Sequence, residues 1–497
     1  MTRLYLLFLA TAAVFGSVFL FDLASELKAT SQQHRTMAVR AAETRVHAET
    51  EQPVLRDETL KRVEEILNPT TEESGGPPEL TPEQQEAERI RLARMASKAV
   101  RHDAPLHPQM ITPGNFQYLG AFRPPADPGE DVENSFYFGG WAVTYRPDGD
   151  PNSQDEFPGS LFVLGHEHRQ LVAEISIPAP VVSRDITVLP VAQMLQPFGD
   201  ITAGFRETMT NGSSEIFKVG GMEVVDERLH WTVFKYYNVT GVDYPSHGAS
   251  SLETNALSFD GPWHLGPIRT GDPQWHSYKN AGYITKIPQP EADAWFQGRD
   301  LLSGLQISTG LQYSSQGPAL YAYRIPQEAG AAPGDLNALP LLWYTMERPL
   351  ARHHPSDRWT GAAWLKLGDR QTVVIIGRKS LGELYYGEGR PWDCNPYKGY
   401  HGTPYEVEIL FYSPSDLVAV ASGQKPATDV QPWYRWNGES PGGGPTEYMF
   451  SNCEKEIGGM TYDADRQLLY IVQIDAGSEC GSDWGALPVI HVFRIVE

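Results

Sequence analysis

Apolar residues along this chain follow two different patterns. The first is one uncharged run near the N-terminus, from Leu4 to Phe21, with Arg3 directly before it. The second fills the chain after about residue 108 and consists of short apolar runs separated by turns rich in glycine and proline. Short runs bounded by turn residues are typical of buried strands. The pattern therefore predicts one hydrophobic N-terminal helix and a large β domain.

The N-terminal run predicts a membrane anchor. A helix that spans a bilayer needs about 20 apolar residues, and the sequence after Phe21 lacks a convincing signal-peptidase site. We therefore interpret residues 1–22 as an uncleaved signal anchor rather than a cleaved signal peptide. Because Arg3 precedes the run, the positive-inside rule leaves a short tail in the cytoplasm. The rest of the chain is then extracytoplasmic, either periplasmic or at the cell surface, and the membrane is a partner.

Residues 23–107 are predicted to form a helical and flexible stalk. Apolar residues between Val54 and Leu67 have helical spacing, and the cluster Ser74–Pro78 breaks that pattern. Thr81 then begins a capping box with proline at the first helical position. The helix that follows has only a thin apolar stripe, so a spacer is favoured over a core element.

The short runs of residues 108–497 recur in a fixed order. A glycine-led run is followed by a turn and by further apolar runs, and the last unit continues with Leu468–Val472 and Val489–Ile495. Five such units are recognisable, and their first runs begin at Gly139, Gly220, Ala281, Gly361 and Gly458. Repeated units of this kind indicate an architecture in which neighbours bury each other's faces.

This repeat resembles the β-propeller superfamily, although no WD, kelch or quinoprotein signature is evident. The resemblance implies an all-β ring in which glycine lets the innermost strands approach one another near the axis. Five blades are visible, and the wide spacing of the units allows five to seven. The segment Phe116–Arg123 is expected to close the ring by joining the last blade. A β-sandwich with coincidental Gly-Gly turns is the alternative.

Charge and cysteine content restrict the partners and the compartment. The net charge is −22, from 62 acidic and 40 basic residues, which disfavours nucleic acid as a partner because phosphate binding depends on lysine and arginine. The three cysteines show no zinc-binding spacing. Cys453 and Cys480 flank the strands of the last unit, so a disulfide between them is plausible and leaves Cys394 as the odd thiol. The alternative is that all three are unpaired.

Polar residues are expected to gather on one face of the ring. Because neighbouring strands in a blade are antiparallel, the loop entering the first strand and the loop leaving the second lie on the same side. For glycoside hydrolysis the candidate catalytic carboxylates on that face are Glu215, Glu456 and Asp475. Arg378 is the candidate for neutralising an acidic sugar in a lyase reaction.

The same face supplies candidate ligand-binding residues. Two long insertions leave from it, and the second is dense in tyrosine and tryptophan, which stack on sugars. The candidates are His166, His168, Tyr236, Lys379, Tyr386, Trp392 and His401. A divalent metal is the only cofactor that the pattern suggests, and it would be held by His166 and His168 with a carboxylate from another blade. Histidines hydrogen-bonded within a loop are the alternative.

Two functions fit these patterns. The first is a membrane-tethered propeller that binds a glycan or protein ligand on one face of the ring. The alternative is a carbohydrate-active enzyme, either a glycoside hydrolase or a polysaccharide lyase, with its site at the central channel. The fold cannot separate binding from catalysis, because propellers host both.

Overall fold

The computed structural model describes residues 100–101, 109–126, 131–150, 156–210, 217–238, 241, 243–267, 273–307, 313–326, 330–476 and 487–497. The predicted anchor and nearly all of the predicted stalk lie outside this part of the chain, so both stay predictions. Over the described ranges, no helix combines the length and the apolar character that crossing a bilayer requires.

The described residues form five blades built mainly of antiparallel strands. Strands β1 (Val100–Arg101) and β2 (Phe116–Phe122) come first. The first blade contains β3 (Val143–Arg146), β4 (Ser160–Leu164), β5 (Val172–Ser176) and β6 (Met194–Gly199). The second blade contains β7 (Phe217–Val225), β8 (Arg228–Lys235), β9 (His247–Ser250) and β10 (Phe259–Leu265). The third blade contains β11 (Ile284–Lys286), β12 (Leu301–Ser303), β13 (Leu320–Tyr323) and β15 (Leu339–Leu342). Strand β14 (Gly334–Leu336) pairs parallel with β10 and is the edge strand of the second blade.

The remaining two blades complete the ring. The fourth contains β16 (Arg358–Leu367), β17 (Arg370–Ser380), β20 (Tyr405–Tyr412) and β21 (Tyr434–Trp436), and the hairpin of β18 (Tyr385–Gly387) and β19 (Gly399–His401) is inserted within it. The fifth contains β22 (Ile457–Asp463), β23 (Leu468–Gln473) and β24 (Val489–Ile495). Helices α1 (Phe205–Thr210), α2 (Gln289–Trp295) and α3 (Pro414–Ala421) lie in connecting segments.

The ring closes with β2 next to β24 in the fifth blade, as the sequence predicts, and β1 pairs with the outer edge of β2. Strand β2 pairs antiparallel with β24, and Phe116 lies opposite Ile495. The first strands contact one another in the circular order β3, β7, β11, β16 and β22, and β22 returns to β3. Five first strands that close on themselves leave no place for a further blade. The wide spacing of the repeats therefore reflects long connections, and the fold is a five-bladed β-propeller.

Each part of the core is a layer between two neighbouring blades. Along β17, Val373 and Ile375 pack toward the third blade, whereas Val374 and Ile376 pack toward the fifth. Because successive side chains of a strand point to opposite faces, a strand buried on both faces reads as an unbroken apolar run. The layering excludes the β-sandwich alternative, in which one face of each sheet is open to solvent.

Glycines near the axis serve the role expected of them. A Cβ atom at Gly458 would collide with the carbonyl oxygen of Gly140 in the neighbouring blade, and one at Gly220 would collide with that of Ala281. The amide of Gly459 also donates to the Gly140 carbonyl over 3.0 Å. Close approach of first strands at the axis therefore requires residues without a side chain.

Candidate functional site

One end of the central channel collects the polar loops. First strands begin there and second strands end there, as shown by pairs such as Phe217 with Lys235 and Ile457 with Gln473. We call this end the channel mouth. It contains a cavity that is open to solvent, with walls from the first four blades. The residues that line it include Trp141, Glu167, Lys218, Tyr236, Arg358 and Trp359.

Lys218 links the first two blades across the wall of this cavity. Its Nζ lies 2.7 Å from Oε2 of Glu167 and 4.5 Å from the centre of the Tyr236 ring. Burial alone would raise the pKa of Glu167, but the charge and hydrogen bond of Lys218 bring that pKa below its usual value. The ion pair and the cation–π contact together fix the Tyr236 ring at the edge of the cavity.

Arg358 makes a similar link between the fourth blade and its neighbours in the ring. Its guanidinium lies 5.0 Å from the centre of the Trp141 ring, and its Nη1 lies 3.3 Å from Oε1 of Glu456. Beside it, the hydroxyl of Thr360 donates to the carbonyl of Ile457 over 2.8 Å. These contacts join the fourth blade to the first and fifth blades at the channel mouth.

Arg378 lies behind this wall and is buried. Its Nη1 is 2.5 Å from Oε1 of Glu456 and 3.2 Å from Oε2 of Glu454, and its guanidinium lies 4.4 Å from the centre of the Tyr405 ring. Burial raises the pKa of Glu454, and Arg378 opposes that rise. With two carboxylates against it, Arg378 holds the carboxylate cluster together rather than facing a ligand.

Asp475 follows the second strand of the fifth blade and completes the acidic side of the channel mouth. Burial, followed by the charges of Glu456, Glu167 and Glu454, raises its pKa from 3.8 to about 7. Its backbone is left-handed, with φ of 49°, a conformation that aspartate and asparagine adopt more readily than most residues. Asp475 can therefore carry a proton near neutral pH, which is a property of general acids.

A long aromatic insertion between β17 and β20 lies on the same face. The rings of Tyr386 and Tyr400 are 4.8 Å apart, and Tyr237 of the second blade acts electrostatically on the Tyr400 hydroxyl. A disulfide joins Cys394 of this insertion to Cys453, next to Glu454 and Glu456. The prediction of a disulfide between Cys453 and Cys480 is therefore wrong. The sequence favoured two cysteines of one unit, whereas the insertion brings Cys394 to the fifth blade.

The two candidate metal-binding histidines differ in their surroundings. His166 is buried, and its Nδ1 accepts from the amide of His168 over 3.1 Å. The His168 ring is exposed, and its Nδ1 lies 3.3 Å from Oε1 of Glu133. Among the residues that the structure describes, no group of three histidine, cysteine, aspartate or glutamate side chains is arranged to hold a metal. The contacts of both histidines are those of a hydrogen-bonded loop.

The other predicted site residues occupy three environments. Lys379 is buried against Asp357, with Nζ 3.0 Å from Oδ1, and it does not line the cavity. His401 is buried in the insertion, where its Nε2 lies 3.0 Å from the carbonyl oxygen of Gly387. Trp392 is exposed at the tip of the insertion, with the guanidinium of Arg390 5.1 Å from its ring centre. Glu215 lies outside the described residues.

Several cavity residues were not among the selected site candidates, and of these Lys218 and Arg358 have a signal in the repeat. Each precedes the last glycine of its unit's glycine signature by three positions. The corresponding residues of the other units are Tyr137, Lys279 and Glu456. Alignment of the five units on that glycine therefore finds one channel-mouth position per blade. Trp141 and Glu167 have no such signal, because they lie in loops of the first blade only.

Comparison with known proteins finds solved structures that are similar to this chain only at low sequence identity. No protein-family model matches the chain, and no curated protein matches it. A luciferin-regenerating enzyme is 9% identical, with a TM-score of 0.27, over 71% of this chain and 77% of that one. The β-propeller domain of Cps50 (Swd1) from Myceliophteria thermophila is 8% identical, with a TM-score of 0.26, over 68% and 69%. The phage phi92 endosialidase is 9% identical, with a TM-score of 0.27, over 78% and 49%.

Proposed function

We propose that this propeller binds a glycan in the cavity at the channel mouth. The observation that carries the proposal is the composition of this cavity, in which aromatic rings line the same walls as the carboxylate of Glu167. Tyr236 and Trp141 are held in place by Lys218 and Arg358, while Glu167 and Glu456 bind those cations. A concave site with apolar walls and a few fixed polar groups is typical of small-molecule recognition.

A sugar ring matches this composition in two ways. Its C–H face is apolar and packs flat on an aromatic ring, and its hydroxyl groups both donate and accept hydrogen bonds. Carboxylate oxygens accept from hydroxyls, and charged acceptors make stronger hydrogen bonds than neutral ones. Because the ion pairs hold these side chains before a ligand arrives, little entropy is lost in ordering them.

The proposal includes an extracytoplasmic, membrane-tethered localisation. The uncharged run from Leu4 to Phe21 supports the tether. The disulfide between Cys394 and Cys453 supports an oxidising compartment, since structural disulfides are rare where thiols are kept reduced. Protease accessibility of the full-length protein in intact cells tests this localisation. Accessibility of the propeller only from the cytoplasm would refute it.

The binding proposal is tested by titration calorimetry of the full-length protein against a panel of neutral and acidic oligosaccharides. Tyr236→Ala is expected to weaken binding about tenfold, since it removes one aromatic face. Leu257→Ala is the control, because Leu257 is exposed and follows β9 on the opposite side of the ring from the channel mouth. If no member of the panel produces a binding isotherm, the glycan proposal is refuted.

Glycoside hydrolysis is the second candidate, and the raised pKa of Asp475 favours it. A carboxylic acid with a pKa of about 7 can protonate the leaving oxygen of a glycosidic bond, while a second carboxylate such as Glu456 acts on the other side. Incubation with the same panel should then release new reducing ends. Asp475→Asn should lower that release by about a hundredfold or more. No release by the unmodified protein would leave binding as the function.

A further inference from the structure

Aromatic side chains are exposed on the channel-mouth side of the ring. Tyr236 and Tyr237 follow β8, and their exposed fractions are 43% and 55%. Tyr386, Trp392 and Tyr397 belong to the aromatic insertion, and their exposed fractions are 54%, 63% and 63%. We call these five residues the aromatic surface. Exposed apolar residues that cluster instead of being scattered usually mark a binding surface.

The aromatic surface is continuous with the cavity. Tyr236 lines the cavity and Tyr237 follows it directly. The Tyr386 ring lies 4.8 Å from the Tyr400 ring, and burial, followed by the electrostatic influence of Tyr386 and of Tyr237 in the second blade, raises the pKa of the Tyr400 hydroxyl. A ligand that fills the cavity and is longer than one sugar unit therefore meets these rings next.

The insertion is held in a fixed conformation. The guanidinium of Arg390 lies 4.5 Å from the centre of the Tyr385 ring and 5.1 Å from that of Trp392. Its Nε donates to the buried Oδ2 of Asp393 over 3.2 Å, and the neighbouring Cys394 is bonded to the fifth blade. Rings that are already ordered bind at a smaller entropic cost than rings on a mobile loop.

The charges of the channel mouth restrict which sugars it accepts. Both cations that line the cavity have carboxylate partners, Lys218 with Glu167 and Arg358 with Glu456. The nearby Arg378 is bound by Glu456 and Glu454. Cations that are already neutralised attract a carboxylate or sulfate group weakly. The site is therefore suited to a ligand without anionic groups.

We infer that the ligand is an uncharged polysaccharide chain, part of which occupies the cavity while its continuation packs on the aromatic surface. This inference rests on the proposed glycan-binding function and specifies its ligand. Each further sugar unit adds one apolar face for an aromatic ring, so affinity increases with chain length until the surface is filled.

The test is a length series measured by titration calorimetry on the full-length protein. The probes are the dimers to hexamers of cellulose, xylan, mannan and N-acetylated chitin, with galacturonate oligomers as the acidic series. For at least one neutral series we expect the hexamer to bind about tenfold or more tightly than the dimer. Trp392→Ala and Tyr386→Ala should each reduce that hexamer-to-dimer ratio several-fold, and the galacturonate oligomers should bind more weakly than the neutral ones.

Trp295→Ala is the matched control. Trp295 ends α2, which connects the first and second strands of the third blade, so it lies at the end of the ring away from the channel mouth, and 36% of it is exposed. Its substitution should leave the ratio unchanged. Binding that is independent of length, or unaffected by both aromatic substitutions, would refute the chain-binding inference while the glycan proposal stands. Preferential binding of galacturonate would refute the choice of an uncharged ligand, and no binding in any series would refute both proposals.

Discussion

Asp475→Asn directly tests the electrostatics of the channel mouth. Burial and the carboxylates of Glu456, Glu167 and Glu454 raise the pKa of Asp475 from 3.8 to about 7. A carboxyl with a higher pKa in the folded than in the unfolded chain holds its proton more tightly when folded. Its contribution to stability is therefore complete below pH 3.8 and is lost as the pH rises to about 7.

The magnitude follows from the difference in proton affinity. Each tenfold change in proton affinity is worth about 1.4 kcal/mol, so the rise of the Asp475 pKa from 3.8 to about 7 corresponds to about 4 kcal/mol of stability. The asparagine side chain carries no charge at any of these pH values and tolerates the left-handed backbone of this position. Relative to the unmodified protein, the variant should gain stability across this pH range and reach a gain of at most about 4 kcal/mol above it.

Urea unfolding of the full-length protein and the variant, at a series of pH values on either side of this range, measures the difference. Asp226→Asn is the matched control, because Asp226 has the same φ of 49° and is exposed in the turn between β7 and β8. Its stability should follow that of the unmodified protein at every pH. Parallel curves for Asp475→Asn and the unmodified protein would show that Asp475 titrates as an ordinary carboxyl, and the reasoning from burial and like charge would be wrong.

Two further predictions concern the contacts that hold the channel mouth together. Replacing Cys394 by serine opens a loop whose ends are 59 residues apart, so thermal unfolding should show a loss of stability of up to about 4 kcal/mol. A reductant should destabilise the unmodified protein but not this variant. Equal sensitivity of both proteins to the reductant would contradict the Cys394–Cys453 pairing. Lys379→Met leaves the fully buried carboxylate of Asp357 without its lysine, which should cost about 3–5 kcal/mol in urea unfolding. Arg352→Met breaks the exposed ion pair with Glu439 and should cost less than about 1 kcal/mol of stability. Similar losses for the two variants would refute the distinction between buried and exposed ion pairs.

Most of the architecture could be predicted from the sequence, because it depends on local patterns. Val373–Ile376 is apolar without interruption since both faces of β17 are buried, and Gly458 and Gly220 mark first strands since only glycine fits there. The role of Phe116–Arg123 in closing the ring also followed from its position before the first unit. The blade number could not be predicted, because repeat spacing does not distinguish a long connection from a degenerate blade.

The candidate site could be predicted only in part. The pattern predicted that the ionisable loops gather at one end of the ring, since antiparallel pairing fixes where first strands begin and second strands end, and Tyr236, Glu456 and Asp475 lie at that end. It did not separate Arg378, which is buried among carboxylates, from Arg358, which lines the cavity. Which of two nearby arginines faces solvent depends on packing between blades.

What the sequence by itself determined is therefore a ring of Gly-led blades with its ionisable loops on one face, because period, turn residues and strand direction are properties of neighbouring positions. Only the tertiary structure decided that five blades complete the ring and that Cys394 pairs with Cys453. It also decided that Lys218 and Arg358 bind carboxylates and aromatic rings of other blades. These are contacts between residues far apart in the chain, and their partners are set by how the blades close around the axis.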